Sequence, residues 1–361
     1  MLETRKRILF APLNWGLGHA VRSIPLLEEL KRAGFEIILA GNGLSLELLH
    51  QEFPDWQTVA LPVFEMRYSA GTSQLISVLK AFPALVNASW KEHRQLKRLI
   101  KERNIDIVIS DNRFGLFNKQ ITSVYITHQL TIRMPAGFRF FEPLVRRLYW
   151  SLIHRYTHCW IPDEEGTINL SGNLSHRQLL PRNARFIGVL SRFQKEKFDA
   201  EKKKQYDFLF LLSGVEPQRT LLEEKIISFF QGEQDYNGIL IRGVSRQQQS
   251  LASLSQLTIL NQVLGTELES LLAVSEMVVC RAGYTSIMEL ASIGKRAVFI
   301  PTPGQTEQEY LGTYLSSSFP LFACVSQKEL TFSALLEAFN KTQSYTVPLT
   351  PDLLQAAIRI L

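Results

Sequence analysis

Residues Val278–Tyr310 read Val-Val-Cys-Arg-Ala-Gly-Tyr-Thr-Ser-Ile-Met-Glu-Leu-Ala-Ser-Ile-Gly-Lys-Arg-Ala-Val-Phe-Ile-Pro-Thr-Pro-Gly-Gln-Thr-Glu-Gln-Glu-Tyr. Their order predicts a strand, a turn, a helix and a second strand. The apolar run Met277–Cys280 has the length of a buried strand. It leads through Arg281-Ala282-Gly283 into a helix expected to begin near Thr285. The first N–H groups of a helix have no partner inside it and lie at the positive end of its dipole, so this turn suits a phosphate. Glu289 falls just past the first turn, where its carboxylate can bridge a diol. A second strand, Ala297–Pro301, then delivers Glu307 and Gln308 to the start of the next helix, a place for sugar hydroxyls. The competing reading is an ordinary strand–helix–strand unit in which Glu289 is a solvated helix carboxylate. As a run, however, the segment describes a pocket for a nucleotide sugar.

Working outward, strands and helices alternate along the whole chain, which predicts α/β architecture with doubly wound parallel sheets. In the first half, Arg7–Ala11, Phe35–Ala40, Thr58–Leu61, Ile105–Ser110, Ser123–Thr127, Thr157–Ile161 and Arg185–Val189 read as strands. Arg22–Ala33 is the first crossover helix, closed by Gly34, and Ser73–Glu102 is a long helix expected to bend near Pro83. Phe193–Gln205 holds Lys195, Lys197, Lys202, Lys203 and Lys204 and reads as a solvated linker. The pattern then restarts with strands Asp207–Leu212, Gly238–Arg242 and Leu257–Leu260 and helices Leu221–Phe230 and Thr266–Ser275. A last helix is expected near Ser333–Phe339. Two domains follow: residues 1–192, a linker at 193–205, and residues 206–361.

Composition bounds the answer. The 361 residues exceed one typical core, and 45% hydrophobic with 20% charged residues describe a soluble globular chain. No apolar run is long enough to span a bilayer. Arg5-Lys6-Arg7 followed by Ile8–Leu13 imitates an export signal, but Asn14, Gly16, Gly18 and His19 interrupt it, so a first strand is expected. Three cysteines without a close pair (Cys159, Cys280 and Cys324) point to reduced thiols in the cytoplasm, and no Cys/His spacing resembles a zinc site. Residues 1–190 hold 24 Lys+Arg against 16 Asp+Glu, whereas residues 191–361 hold 16 against 18. The basic first half is therefore expected to meet something anionic: a lipid surface, a lipid phosphate or an acidic acceptor.

The first strand opens into Leu13-Asn14-Trp15-Gly16-Leu17-Gly18-His19. Ligands of open parallel sheets bind beyond the carboxyl ends of strands, and glycine there lets the backbone approach them closely. A nicotinamide site does not fit. Val21 stands where the third glycine would be, and the second strand ends Ala40-Gly41-Asn42 without the acid that binds ribose. His19, at a helix N-terminus that favours the neutral imidazole, is either a general base or a cap of its helix. Asp111, at the end of another strand, is the base itself, the group that orients His19, or with Asn112 a plain turn and helix cap. Asn112, Arg113 and His128 lie at the same sheet edge and are candidates to meet the acceptor. Arg133–Trp160 mixes five arginines with aromatic residues, either to lie on an anionic membrane or as a half-buried helix whose arginines snorkel. No nucleic-acid motif accompanies it.

The segment Val278–Gln308 resembles the donor-binding signature of the GT-B glycosyltransferases, most closely those of the MurG type. The resemblance implies two Rossmann-like domains facing a central cleft. It further implies that Glu289 binds the ribose of UDP, that Ala282, Gly283 and Thr285 face the diphosphate, and that Glu307 and Gln308 hold the donor sugar. Ser213-Gly214 matches by position the phosphate-cradling loop, and Gly188-Val189-Leu190-Ser191-Arg192 resembles the interdomain stretch that puts Arg192 near the diphosphate. Arg242 and Arg281 are further diphosphate candidates or else surface pairs, and Gln262-Val263 corresponds to the nucleobase contact. On the acceptor side Gly16, Gly18 and His19 match the glycine-rich loop, but Trp15 and Leu17 replace small residues. His128-Gln129 stands where relatives carry His-Glu, so that carboxylate is lost.

The activity so implied is inverting, metal-independent transfer of a hexose-type sugar from a UDP-sugar to an acceptor hydroxyl on a saccharide or lipid-linked molecule. No cofactor is expected beyond the donor substrate. The chain is expected in the cytoplasm, with contact to the inner face of the membrane through its basic half. A MurG-like UDP-sugar hydrolase and a non-catalytic nucleotide-sugar-binding regulator are the alternatives.

Overall fold

The computed structural model of the chain describes residues 5–62, 74–177, 179–193, 195, 198, 202–232, 234–245, 247–263 and 265–361. The chain forms two compact units, Met1–Arg192 with Pro348–Leu361, and Phe193–Val347.

The strands of the first unit are β1 (Arg7–Pro12), β2 (Glu36–Gly41), β3 (Gln57–Ala60), β4 (Ile107–Asp111), β5 (Thr122–Ile126), β6 (His158–Ile161) and β7 (Ala184–Phe186). Among the described residues they make one parallel sheet in the order β3-β2-β1-β4-β5-β6-β7. The inner strands are apolar on both faces because helices cover both; Ile8, Leu9, Phe10, Val108 and Ile109 are fully buried. The helices are α1 (Gly18–Arg32), α2 (Gly43–Glu52), α3 (Gln74–Arg103, with Pro83 inside it) and α4 (Glu142–Ile153). Ser73, where the long helix was expected to start, lies outside the described residues.

The second unit repeats the plan with β8 (Tyr206–Leu211), β9 (Gly238–Ile241), β10 (Leu257–Leu260), β11 (Ser275–Cys280), β12 (Ala297–Phe299) and β13 (Phe322–Cys324). These strands are again all parallel, in the order β10-β9-β8-β11-β12-β13. Helices α5 (Gln218–Phe229), α6 (Gly265–Val274), α7 (Tyr284–Ser292), α8 (Thr306–Ser318) and α9 (Phe332–Asn340) belong to this unit, and α10 (Leu353–Ile358) to the first. Phe208, Phe210 and Phe230 pack with Phe332 and Tyr236 in its core, each burial of such a ring contributing about 1.5–3 kcal/mol.

Each sheet reverses its strand order at one place, between β1 and β4 and between β8 and β11. The register sets Pro12 beside Asp111 at the first reversal and Leu211 beside Cys280 at the second. Open α/β sheets bind ligands in the crevice outside such a switch point, because the chain leaves the two neighbouring strands in opposite directions.

The structure corrects three expectations. The last residues do not stay with the second domain: Pro348–Leu361 joins the first unit, where α10 packs on α1 and Thr350 N donates to Glu164 at 2.9 Å. Phe193–Gln205 is not a solvated linker at its start, since Phe193 and Phe198 are buried in the second unit; residues 194, 196, 197 and 199–201 lie outside the described residues. Helix α1 begins at Gly18, a turn before Arg22, so Arg22 lies within the helix.

The basic-aromatic stretch is half-buried as one reading required: Tyr149 and Ile153 face the core, and Trp150 Nε1 donates to Leu130 O at 3.0 Å. Its other side is apolar too. Phe138, Phe140, Phe141, Leu144 and Leu148 are exposed, Phe140 by 71%.

Candidate active site

At the first switch point a buried charged centre forms at the carboxyl end of β4. Asp111 is the last residue of that strand and is 1% exposed. Arg22 reaches it from α1: Nε donates to Asp111 Oδ2 at 2.8 Å, and a terminal nitrogen donates to Oδ1. His19, one turn earlier on α1, sets Nδ1 3.0 Å from Asp111 Oδ1 and 2.8 Å from the same terminal nitrogen of Arg22. The other terminal nitrogen donates to Nδ1 of His128, beyond β5, at 3.1 Å. The sequence-predicted trio His19, Asp111 and His128 is therefore brought together, and Arg22 is what joins it.

The electrostatics follow from this packing. Burial alone would raise the Asp111 carboxyl, but Arg22 first and His19 second hold it well below the usual carboxylate range. Such a carboxylate, accepting from Arg22 on both oxygens, is a poor proton acceptor, which sets aside Asp111 as the base and leaves its orienting role. Burial lowers the His19 imidazole; Asp111 pulls it up, and Arg22 and His128 push it down, so it stays below its ordinary value. His19 is thus a neutral, proton-accepting ring near pH 7.

The neighbouring residues divide. Gly16, at φ +76°, turns the loop before α1, and Ser45 on α2 donates to Gly16 O at 3.3 Å. Gly43, at φ +54°, starts α2 where an added Cβ would come within 2.6 Å of Asn14 Nδ2, so α2 fits closely against this loop. Gly18 is the first residue of α1, and the helix has no side-chain cap, so His19 is not spent as one. Asn112 takes the left-handed conformation at φ +59° and accepts from Tyr125 Oη at 2.9 Å. Arg113 is corrected from an acceptor ligand to an internal brace: it pairs with buried Glu92 and donates to Pro12 O and Pro62 O, both at 3.3 Å.

The second switch point is built from backbone. Gly283 is the N-cap of α7 with no side-chain cap, and nothing lies within 4 Å of where its Cβ would be. The backbone at the head of α7, beside Ala282 and Thr285, can therefore be approached closely at Gly283. Across this edge Gly214, at φ +105°, follows β8 and Ser213 is exposed. Thr302 comes within 3.9 Å of the Cβ position of Gly214, and its Oγ1 is buried with no partner among the described residues. Glu289 is 6% exposed, so it is not a solvated helix carboxylate. Gln308 is buried and accepts from Thr302 N at 2.9 Å, which leaves its NH2 as the end with which to meet a ligand; Glu307 stands beside it in the first turn of α8. Val263 is buried just past β10, and Arg192, partly exposed, is the last residue before the second unit.

Two predicted diphosphate ligands do not meet that expectation. Arg242 is held by Glu223 through Nε at 2.9 Å and by Gln249 O and Asn261 Oδ1 at 2.9 and 2.8 Å. Arg281 is 1% exposed and turned inward, donating to Ile300 O at 3.1 Å, Gln327 Oε1 at 2.7 Å and Gln218 O at 2.7 Å. Burial lowers Arg281 to about 10, and its charge is met by amide and carbonyl oxygens, which tie the loops after β11 and β12 to α5. The reading from sequence missed Arg22, Glu223 and Thr302. Only Arg22 left a signal, an arginine three residues after His19 and hence on the same face of one helix. Among the described residues no group of three or more His, Cys, Asp or Glu is arranged to hold a metal ion.

Comparison with known proteins agrees with this construction. Residues 207–346 match the glycosyltransferase family 28 C-terminal domain. A UDP-N-acetylglucosamine--N-acetylmuramyl-(pentapeptide) pyrophosphoryl-undecaprenol N-acetylglucosamine transferase from Sulfurihydrogenibium is 23% identical over 337 residues, 90% of this chain and 87% of the relative. An uncharacterized glycosyltransferase from Methanosarcina acetivorans is 25% identical over 81% of this chain and 79% of its own length. The crystal structure of MurG from Acinetobacter baumannii shares the fold with a TM-score of 0.58, 13% identity and 99% of each chain covered. With two parallel α/β units and relatives of this kind along its length, the chain has the GT-B fold, carries a glycosyltransferase family 28 C-terminal domain and is similar to the MurG-type glycosyltransferases.

Proposed function

We propose that the enzyme transfers a hexose-type sugar from a UDP-sugar to an acceptor hydroxyl, with inversion and without a metal. The observation that carries the donor half is the head of α7 at Gly283, where the N-cap carries no side chain and the backbone can be approached closely, with buried Glu289 a turn and a half further along the helix. In this reading the diphosphate lies on the N–H groups of α7 and near Ser213-Gly214, and Glu289 takes the ribose diol. Loop residues at Val263 meet the base, and Glu307 and Gln308 take the sugar. His19 accepts the proton of the acceptor hydroxyl as that oxygen attacks the anomeric carbon; the bond to the diphosphate breaks, and α7 with Arg192 offsets the charge that leaves. Inversion follows from a single in-line displacement.

The acceptor is proposed to be lipid-linked, with the enzyme in the cytoplasm against the inner face of the membrane. Exposed Phe138, Phe140, Phe141, Leu144 and Leu148 stand among Arg139, Arg146 and Arg147, while Glu142, the acidic residue of that helix, is turned inward onto Met134 N at 3.1 Å. No helix of the described residues is long and apolar enough to cross a membrane, so the face would lie on a bilayer rather than span it.

A melting screen over nucleotides and nucleotide sugars tests the donor assignment, since a ligand that binds only the folded state stabilises it. UDP and one or more UDP-sugars should raise Tm by several degrees at 100 times Kd, and ADP compounds should not. No shift with any uridine compound sinks the reading. Stoichiometric UDP release from a donor alone, unaffected by added acceptors, would instead identify a hydrolase.

A further inference from the structure

Arg22 contacts His19 and His128 through their Nδ1 atoms, yet the two contacts have opposite consequences. A guanidinium carries only donors. Nδ1 of His128 must therefore accept from Arg22, which leaves the His128 proton on Nε2. At His19 the same rule meets a competitor, because Asp111 Oδ1 lies 3.0 Å from Nδ1. Were Nδ1 of His19 to accept from Arg22, its lone pair would face a carboxylate oxygen with no proton between them. With the proton on Nδ1, both His19 and Arg22 donate to Oδ1, whose two lone pairs accept them together, and the donors sit 2.8 Å apart as two groups sharing one acceptor do. The lone pair of His19 then lies on Nε2.

We propose that Arg22 is a positioning residue that fixes the two histidines in opposite tautomers, His19 as a base at Nε2 and His128 as a hydrogen-bond donor at Nε2. It does so while neutralising Asp111, so that the carboxylate orients His19 without driving it to imidazolium. An acceptor hydroxyl needs both faces: one group to take its proton and another to donate to a neighbouring oxygen. A single guanidinium supplies that complementarity from one helix. The assignment of these rings to an acceptor rests on the transferase reading above; the tautomers themselves do not.

The groups that face His19 are Asp111 from β4, Arg22 from α1 and His128 from the loop after β5. The test is 15N NMR of the ring nitrogens near pH 7, with signals assigned through His19→Gln and His128→Gln. The expected result is a protonated Nδ1 at His19 and a protonated Nε2 at His128. Arg22→Lys keeps the charge but loses the fork, and should return His128 to the mixed tautomers of a solvated ring. The double variant Arg22→Gln/Asp111→Asn removes the ion pair as a unit, which guards against misfolding of either single change, and should also release His128. Arg22→Gln alone removes the cation that opposes Asp111. The pH at which His19 titrates should then rise by a unit or more, and the acid limb of kcat/KM should move to higher pH by the same amount. Unchanged tautomers and titration in folded Arg22 variants would overturn the proposal. Absence of turnover with these ring signals in place would overturn the transferase reading instead.

Discussion

The two switch points do their work with different materials. In the first unit Asp111, Arg22, His19 and His128 form a buried cluster joined to one another through their side chains. In the second unit the same topological position offers a helix with glycine at its N-cap and Thr302 Oγ1, which has no partner among the described residues, and the nearby arginines Arg242 and Arg281 are occupied internally. The difference matches the two tasks of the proposed function. Holding a diphosphate requires many N–H groups and a positive field, which a helix end supplies without a titrating group. Moving a proton requires a group whose pKa lies near the working pH, which only a side chain in a tuned environment supplies.

The comparison is broken most directly at His19. His19→Ala should lower kcat by two to four orders of magnitude while the Tm shift with UDP stays as in the wild type. A variant that turns over normally would move the chemistry away from this cluster, and one that loses UDP binding would deny the separation of tasks.

At the second switch point the decisive change is Gly283→Asp. Its φ of −79° and the open space at its Cβ let the variant fold. The new carboxylate should cap α7 from within and repel a phosphate, weakening UDP about 10- to 100-fold by calorimetry, in line with the 1–3 kcal/mol of cap and dipole effects. Unchanged affinity would show that the diphosphate lies elsewhere.

The smallest expected effect concerns the exposed apolar face of the first unit. Phe140→Asp with Leu148→Asp should reduce partition onto vesicles containing anionic lipid about tenfold, with Tm within a few degrees of the wild type because neither side chain is buried. Equal partition by both proteins would remove the bilayer from the proposed function.

How much of this was legible beforehand depended on range. The strands were visible because buried parallel strands are continuous apolar runs, and the turn at Gly283 and the burial-prone Glu289 lie within one local unit. Helix α2 escaped: Asn42 stands at its N-cap, but its side chain donates to Leu61 O and Pro62 O instead of capping, and the fit of the helix depends on Asn14, some thirty residues away in the chain. The arginines were the systematic error. From their places in the sequence Arg113 reads as an acceptor-side residue and Arg242 and Arg281 as diphosphate candidates or surface pairs, but an arginine is assigned by what its five donors reach, and those partners are Glu92, Glu223 and the carbonyls of distant loops.

By itself, then, the sequence determined the two α/β sheets, the place of the donor segment and the presence of a histidine at the head of α1. Those follow from periodicity and from helix ends, which are local physics. Tertiary structure alone decided that Asp111 is held as a buried carboxylate between Arg22 and His19, that Arg22 joins two histidines, and that the last fourteen residues return to the first unit, Pro348–Leu361. Each of these depends on which groups meet after the chain has crossed the sheet, and on burial that makes such meetings electrostatically strong.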